Sequence, residues 1–203
     1  HSLLILEGLC KGAQRHWMSF VRYNGDRIQR LLMQNKYFDS LFTRFYMDRV
    51  DKITANAIAC SIKQIWNGRD VYIIEGNTTR FGKGNDFISN AKSVHRILCP
   101  PKNAFAKYHD ILSVAGEKIP KKENVLVLIA LGMTATVMAY DLHKMGYQAI
   151  DIGHADIEYS WWKMGATERC PIPDKATFEA GVYEGIGDVN DDIYKKQIIA
   201  EIK

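Results

Sequence analysis

The chain has 203 residues, enough for one sizeable α/β domain that buries about 70% of its unfolded surface and needs neither disulfide nor metal to fold. Hydrophobic residues make up 47% and charged residues 25%, ordinary values that exclude a disordered or low-complexity chain. Lys and Arg total 27 against 23 Asp and Glu; the net charge of +4 suits an anionic small substrate. It is spread along the chain without an RNP-like or helix-turn-helix pattern, which argues against a nucleic-acid partner.

The chain opens on His1-Ser2-Leu3-Leu4-Ile5-Leu6-Glu7, with no Met and no basic segment, unlike a signal peptide. It reads as entered in mid-element, with further residues expected upstream and Leu3 to Leu6 as a first strand. No apolar run approaches the roughly 18 residues that span a bilayer, so no membrane span is expected. Cys10, Cys60, Cys99 and Cys170 form no C-x-x-C pair, which suggests buried thiols in a reducing compartment, the cytoplasm.

Trp17 to Leu32 has a helical pattern. Asp51 to Trp66 carries Ile53, Ala57, Ile58, Ile62 and Ile65 near helical spacing, predicting a helix with those residues on its buried face. Three continuous apolar runs then read as parallel strands covered on both faces: Val71 to Ile74, Val125 to Ile129 and Ala149 to Ile152. His95 to Cys99 is a shorter fourth. Helices are predicted over Asp86 to Val94, capped by Asn85 or Asp86, and over Phe105 to Val114. Two more run from Thr134 to Met145 and from Asp156 to Met164, closed by Gly146 and Gly165. Alternating strands and helices predict an α/β, Rossmann-like doubly wound, mostly parallel sheet with helices on both faces. Residues 1–180 form the domain; residues 181–203, Gly- and Asp-rich and then helical from Asp191, read as a peripheral C-terminal extension.

In such folds ligands bind beyond the carboxyl ends of the strands, so the residues that follow each strand carry the candidate chemistry. After the first come Glu75-Gly76-Asn77-Thr78-Thr79-Arg80-Phe81-Gly82-Lys83-Gly84-Asn85-Asp86. Its glycines allow close backbone approach, and Arg80 and Lys83 with the next helix's free N–H groups suit phosphate. A capped surface loop fits the same residues. After the second, Pro100-Pro101-Lys102-Asn103 fixes a turn in which Asn103 caps a helix or faces a ligand. After the third, Gly132, Thr134 and Thr136 suit a second phosphate or a ribose, with Thr136 the better cap. After the fourth, His154, Asp156 and Glu158 suit metal coordination or acid–base work, although Asp156 and Glu158 also fit as first-turn helix acids. Of Trp161 and Trp162, one can pack in the core and the other face a sugar or base.

Taken in order, these segments resemble the bacterial GT-D-type glycosyltransferases, formerly domain of unknown function 1792. The resemblance runs from about Leu3 to Glu179. It is carried by Thr43-Arg44-Phe45-Tyr46-Met47-Asp48, Ile74-Glu75-Gly76, Thr79 to Asp86, Arg96 to Pro100, Asn103-Ala104-Phe105, Leu131 to Thr136 and Asp151 to Tyr159, with Lys175 and Glu179 beyond. It implies transfer of a hexose, typically glucose from UDP-glucose, to a glycan or glycoprotein acceptor, as in glycoprotein or surface-polysaccharide synthesis. A divalent metal, Mn²⁺ or Mg²⁺, would bridge the diphosphate. The implied substrate-binding residues are Glu75, Arg80, Gly82, Lys83, Gly84, Asn85, Asn103, Thr134, Lys175 and Glu179, with Arg80 to Asn85 holding the nucleotide. His154, Asp156 and Glu158 are the implied catalytic residues, and His154 is also the implied metal donor. A homo-oligomer is compatible with this. One departure matters: the family's Arg-Phe-Gly-Asp-Gly-Glu segment, associated with the metal, has no match here. Arg22-Tyr23-Asn24-Gly25-Asp26 imitates it without the Glu, and the true segment is expected upstream. A degenerate, nucleotide-binding module without transfer activity is the competing expectation. A dehydrogenase fits poorly, because the glycine spacing is wrong.

Overall fold

The computed structural model describes residues 6–31 and 41–203. The strand expected over Leu3 to Leu6 falls almost wholly outside them. Five strands, β1 (Asp70–Gly76), β2 (Ser93–Cys99), β3 (Val125–Ala130), β4 (Ala149–Asp151) and β5 (Ile198–Glu201), form one sheet in the order β4-β3-β1-β2-β5. All four pairings are parallel. Six α-helices accompany them among the described residues: α1 (Lys11–Leu31), α2 (Ala55–Gln64), α3 (Tyr108–Lys118), α4 (Met133–Lys144), α5 (Ala155–Met164) and α6 (Asp192–Gln197).

The sheet separates two apolar cores. Val71, Ile73, Leu126 and Leu128 pack with α2 and α5, around Trp66, Phe81, Phe87 and Trp161. Ile74, Val125, Val127 and Ile129 face the other way and pack with α3 and α4 through Ile111, Ala115, Ala135, Met138 and Leu142. Alternate residues of one strand thus serve opposite cores, which is why β1 and β3 are apolar at almost every position. The expected doubly wound α/β arrangement is observed.

Several details differ from the sequence expectation. Helix α2 starts at Ala55, because the Asp51 carboxylate accepts from the Ile53 N–H at 2.8 Å and turns the chain before the helix. Its buried face is Ala55, Ala59 and Ile62, followed by Trp66, while Ile53 is 91% exposed. The helix expected over Asp86 to Val94 does not form. Its carbonyls go to side-chain donors instead: Trp66 Nε1 binds the Phe87 oxygen at 3.1 Å and Lys63 Nζ the Asp86 oxygen at 2.7 Å. Asn85 Oδ1 accepts from the Phe87 N–H at 3.0 Å and shapes a turn rather than a cap. Arg22 to Asp26 lies in the middle of α1, with Tyr23 82% exposed.

The largest difference is at the end of the chain. The segment expected as a peripheral extension supplies β5, the edge strand beside β2. Helix α6 before it, capped by Asp191, drives Tyr194 into the interior, where its hydroxyl meets Glu75 Oε1 at 2.9 Å. That carboxylate also pairs with Arg96 at 2.6 Å, and Arg96 in turn donates to Gln197 at 2.7 Å. A buried acid, a buried base and the last helix are thereby tied into one polar cluster.

Candidate functional site

The connection from β2 crosses over β1 to reach β3, so the direction of winding reverses beside β1. The loops that leave β1 and β3 there diverge and open a crevice. A cavity of about 800 Å³ lies at this end of the sheet. Gly76 and Thr79 line it from the β1 side, Pro100, Pro101 and Asn103 to Phe105 from the β2 side, and Ala130 to Thr134 from β3 and the start of α4. Gly153, His154 and Ile157 close it from β4 and α5, and Ala176 to Glu179 complete the wall. At Gly76 a Cβ would meet Thr79 Oγ1 at 3.2 Å and the Pro101 Cα at 3.4 Å, so a side chain would crowd two cavity loops at once.

Of the catalytic and substrate-binding residues that the resemblance implies, four line this cavity, Asn103, Thr134, His154 and Glu179, and Gly132 of the third strand-end segment lines it too. Asn103 adopts a left-handed conformation, φ 50°, and its side chain makes no capping bond to the short 3-10 turn Ala104–Lys107 that it precedes. Thr134 is buried in the first turn of α4 behind Gly132, whose φ is 56°. Thr136 binds Asp151 at 2.7 Å and is not among the lining residues.

His154 and Glu179 belong to a charged cluster. Arg44 Nη2 lies 2.6 Å from Glu179 Oε1 and Arg169 Nε lies 3.1 Å from Oε2. The same two guanidiniums hold Asp48, at 3.6 Å from Arg44 and 2.5 Å from Arg169. Burial raises the Glu179 carboxyl, but the Arg44 hydrogen bond and charge, with help from His154 and Arg169, leave it below the usual range. His154 Nε2 lies 3.9 Å from Glu179, yet burial and the Arg44 charge hold the imidazole below its ordinary pKa and favour the neutral form.

The other expected site residues are committed to the protein itself and do not line the cavity. Asp156 Oδ1 accepts from the Gly82 N–H at 2.9 Å and from Asn85 at 2.8 Å, while Oδ2 takes Lys175 at 2.5 Å. Asp156 and Lys175 are both buried. Glu158 Oε2 accepts the Tyr46 and Met47 N–H groups at 2.8 and 2.7 Å; Oε1 is buried without a hydrogen-bond partner, and burial raises this carboxyl. Glu75 is fully buried and also accepts from the Phe81 N–H at 2.6 Å. Arg80, at φ 51°, reaches the carbonyls of Asp174 and Gly187. Lys83 pairs with Asp174 at 2.9 Å. Gly82 and Gly84 provide the left-handed turns of this loop, at φ 74° and 76°. The β1 loop therefore braces one wall of the site from behind. Trp161 is buried with Nε1 bonded to the Cys170 carbonyl at 2.9 Å; Trp162 is half-buried and also lies away from the cavity.

Thr79, Phe105 and Met133, which stand in the candidate segments without a site role assigned, line the cavity, as does Phe178, which sequence reasoning passed over. A usable signal existed, since the first three follow strands and Phe178 adjoins Glu179.

Fold and cavity together define a doubly wound α/β domain with its ligand site at the topological switch. Comparison with known proteins gives the family. The family model for the glycosyltransferase GT-D fold matches residues 5–180. Two streptococcal relatives align over nearly the whole chain: a probable glycosyl transferase Gly of Streptococcus gordonii, 35% identical over 97% of this chain and 28% of its own length, and glycosyltransferase GlyD of Streptococcus pneumoniae, 37% identical over 92% and 22%. The chain thus spans about a quarter of the length of these curated relatives. Two solved structures superpose with a TM-score of 0.92. One, of the domain of unknown function 1792 with a distinct glycosyltransferase fold, is 36% identical, over 98% of this chain and 71% of its own. The other, a glycosyltransferase (DUF1792) from Streptococcus sanguinis, is 33% identical, over 100% and 75%. The chain belongs to the GT-D glycosyltransferase family.

Proposed function

We propose that the protein transfers a hexose, glucose from UDP-glucose, onto a glycan or glycoprotein acceptor in the cytoplasm, with the donor bound in the cavity over β1 and β3. The observation that carries this reading is the convergence of four strand-end loops on one cavity holding Asn103, Thr134, His154 and Glu179. Asn103, free of a capping bond, suits the polar edge of the nucleobase or ribose. The diphosphate suits the start of α4, where first-turn N–H groups and the helix dipole favour negative charge. Transfer requires the C–O bond to the diphosphate to break, the acceptor oxygen to join the anomeric carbon, and the acceptor hydroxyl to lose its proton. A neutral imidazole at the cavity wall can take that proton, which makes His154 the leading base.

Mn²⁺ or Mg²⁺ is part of the proposal. Among the described residues no group of three metal-ligating side chains gathers. A hard divalent ion that keeps waters and diphosphate oxygens needs only one or two protein donors and favours oxygen over imidazole. A neutral imidazole has one free lone pair, so His154 would serve either as a donor to the ion or as the base, not as both. Such an ion would supply neutralisation of the charge that develops on the leaving diphosphate.

Calorimetry of the intact protein with UDP, with and without Mn²⁺, followed by a UDP-glucose hydrolysis assay, tests the reading. Metal-strengthened UDP binding with slow hydrolysis is expected, and His154→Ala should slow turnover by about 100-fold or more. Metal-independent binding without any hydrolysis or transfer would instead favour a nucleotide-binding module. That alternative draws its support from the commitment of Asp156 and Glu158 to protein donors.

A further inference from the structure

The wall of the cavity that carries Glu179 is a tight turn with an unusual pair of neighbours. Thr177 and Val182 exchange backbone hydrogen bonds of 2.7 and 3.1 Å, and Gly181 at φ 76° closes the turn between them. Phe178 lines the cavity yet is 51% exposed. The Tyr183 ring lies parallel to it, at 6° and 6.2 Å between centroids. Tyr183 is itself steadied by Lys102, whose ammonium lies 5.3 Å from its centroid and pairs with Glu184 at 2.7 Å. One turn therefore presents a flat, backed aromatic ring beside a carboxylate.

That carboxylate is gripped but not exhausted. An ionised carboxylate offers about four lone-pair positions, and Arg44 and Arg169 use one on each oxygen. The cluster of Arg44, Arg169, Asp48 and Glu179 sums to zero charge, since both guanidiniums are shared with Asp48. It offers no spare cation to a diphosphate, and Glu179 would repel one. A neutral ring with hydroxyls on its edge and C–H bonds on its face matches both neighbours: the C–H face onto Phe178, the hydroxyls onto Glu179.

We propose that the Thr177–Val182 turn is a pyranose subsite, with Phe178 as the stacking platform and Glu179 as the hydroxyl acceptor that Arg44 and Arg169 hold in position. The subsite rests on the glycosyltransferase reading above. Its sugar is either the acceptor's or the hexose of the donor, and these share the chemistry just described.

Saturation-transfer NMR on the intact protein separates the sources. One arm uses methyl β-glucopyranoside with UDP present; the other uses UDP-glucose alone. Transfer to the sugar-ring C–H protons in at least one arm is expected, and that arm names the source. Phe178→Ala should weaken binding in that arm about fivefold, while Phe178→Trp restores it. Glu179→Gln should weaken it too. Should neither sugar ring receive transfer while the uridine protons do, the subsite is wrong and the donor reading survives. Absence of uridine signals in the wild type would instead count against the donor reading itself. Phe178→Ala protein that folds and binds the sugar as well as wild type also overturns the subsite.

Discussion

At the scale of single residues, what matters is where each charged atom finds its partner. Glu158 shows this well. Its position in the first turn of α5, beside His154, made it a candidate for chemistry, but its Oε2 closes the Tyr46–Met47 backbone from 2.8 and 2.7 Å. Glu158→Ala would leave two buried N–H groups unpaired and should lower the unfolding free energy by about 2–4 kcal/mol. Glu158→Gln keeps an acceptor oxygen for both donors and should cost less than about 1.5 kcal/mol. Urea denaturation of both variants checks the pair; equal losses would mean that the charge, rather than the acceptor, is what the fold needs. The sequence could place Glu158 at a strand end, but not say which way it pointed. Its partners lie 111 and 112 residues away in the chain. The same distance problem hid the fate of Arg80 and Lys83, whose partners Asp174 and Gly187 come from loops with no periodic pattern, and of Lys175, whose partner Asp156 sits in the first turn of α5.

At the scale of elements, β1 to β4, α4 and α5 were legible because buried parallel strands and glycine-closed helices leave local signals, such as Gly146 at φ 92° and Gly165 at φ 63°. The turn segment after Gly84 was not, because it is organised by distant side chains. Asp86 ties it to two helices: Tyr159 of α5 donates to Asp86 Oδ1 at 2.9 Å, and Lys63 of α2 and Lys163 of α5 lie at 3.1 and 3.5 Å. The Tyr159 hydrogen bond, then Lys63, lowers this carboxyl from 3.8 to about 2. A depressed folded-state pKa stabilises at every pH above the unfolded value, and the benefit fades as pH falls from about 3.8 to about 2. The wild type should therefore out-melt Asp86→Asn at pH 7. The gap should narrow below pH 4 and close near pH 2, as thermal scans across that range would show. A gap that persists at pH 2 would rule out ionisation as its origin.

At the scale of the whole molecule, the segment after residue 180 contributes helix α6 and the edge strand β5 of the sheet rather than forming an appendage. β5 escaped the sequence reading because four residues after Lys195-Lys196, ending in a glutamate, carry little strand signal. Its role shows only through Glu75 and Arg96, which are fully and almost fully buried. Arg96→Met would leave Glu75 without its cation and Gln197 without its donor, and should cost about 3–5 kcal/mol by denaturant unfolding. A loss below about 1 kcal/mol would mean that the pair does not anchor the end of the chain.

The cluster of Glu75, Arg96, Tyr194 and Gln197 also has a meaning in time. A ribosome delivers Glu75 and Arg96 about a hundred residues before the tyrosine and glutamine that complete their bonding. Until α6 and β5 emerge, the sheet has an open edge at β2, with a guanidinium whose Nε lacks its acceptor. These later residues thus deliver the piece that covers this edge, and the Glu75 loop that braces the cavity gains their support only once they have emerged.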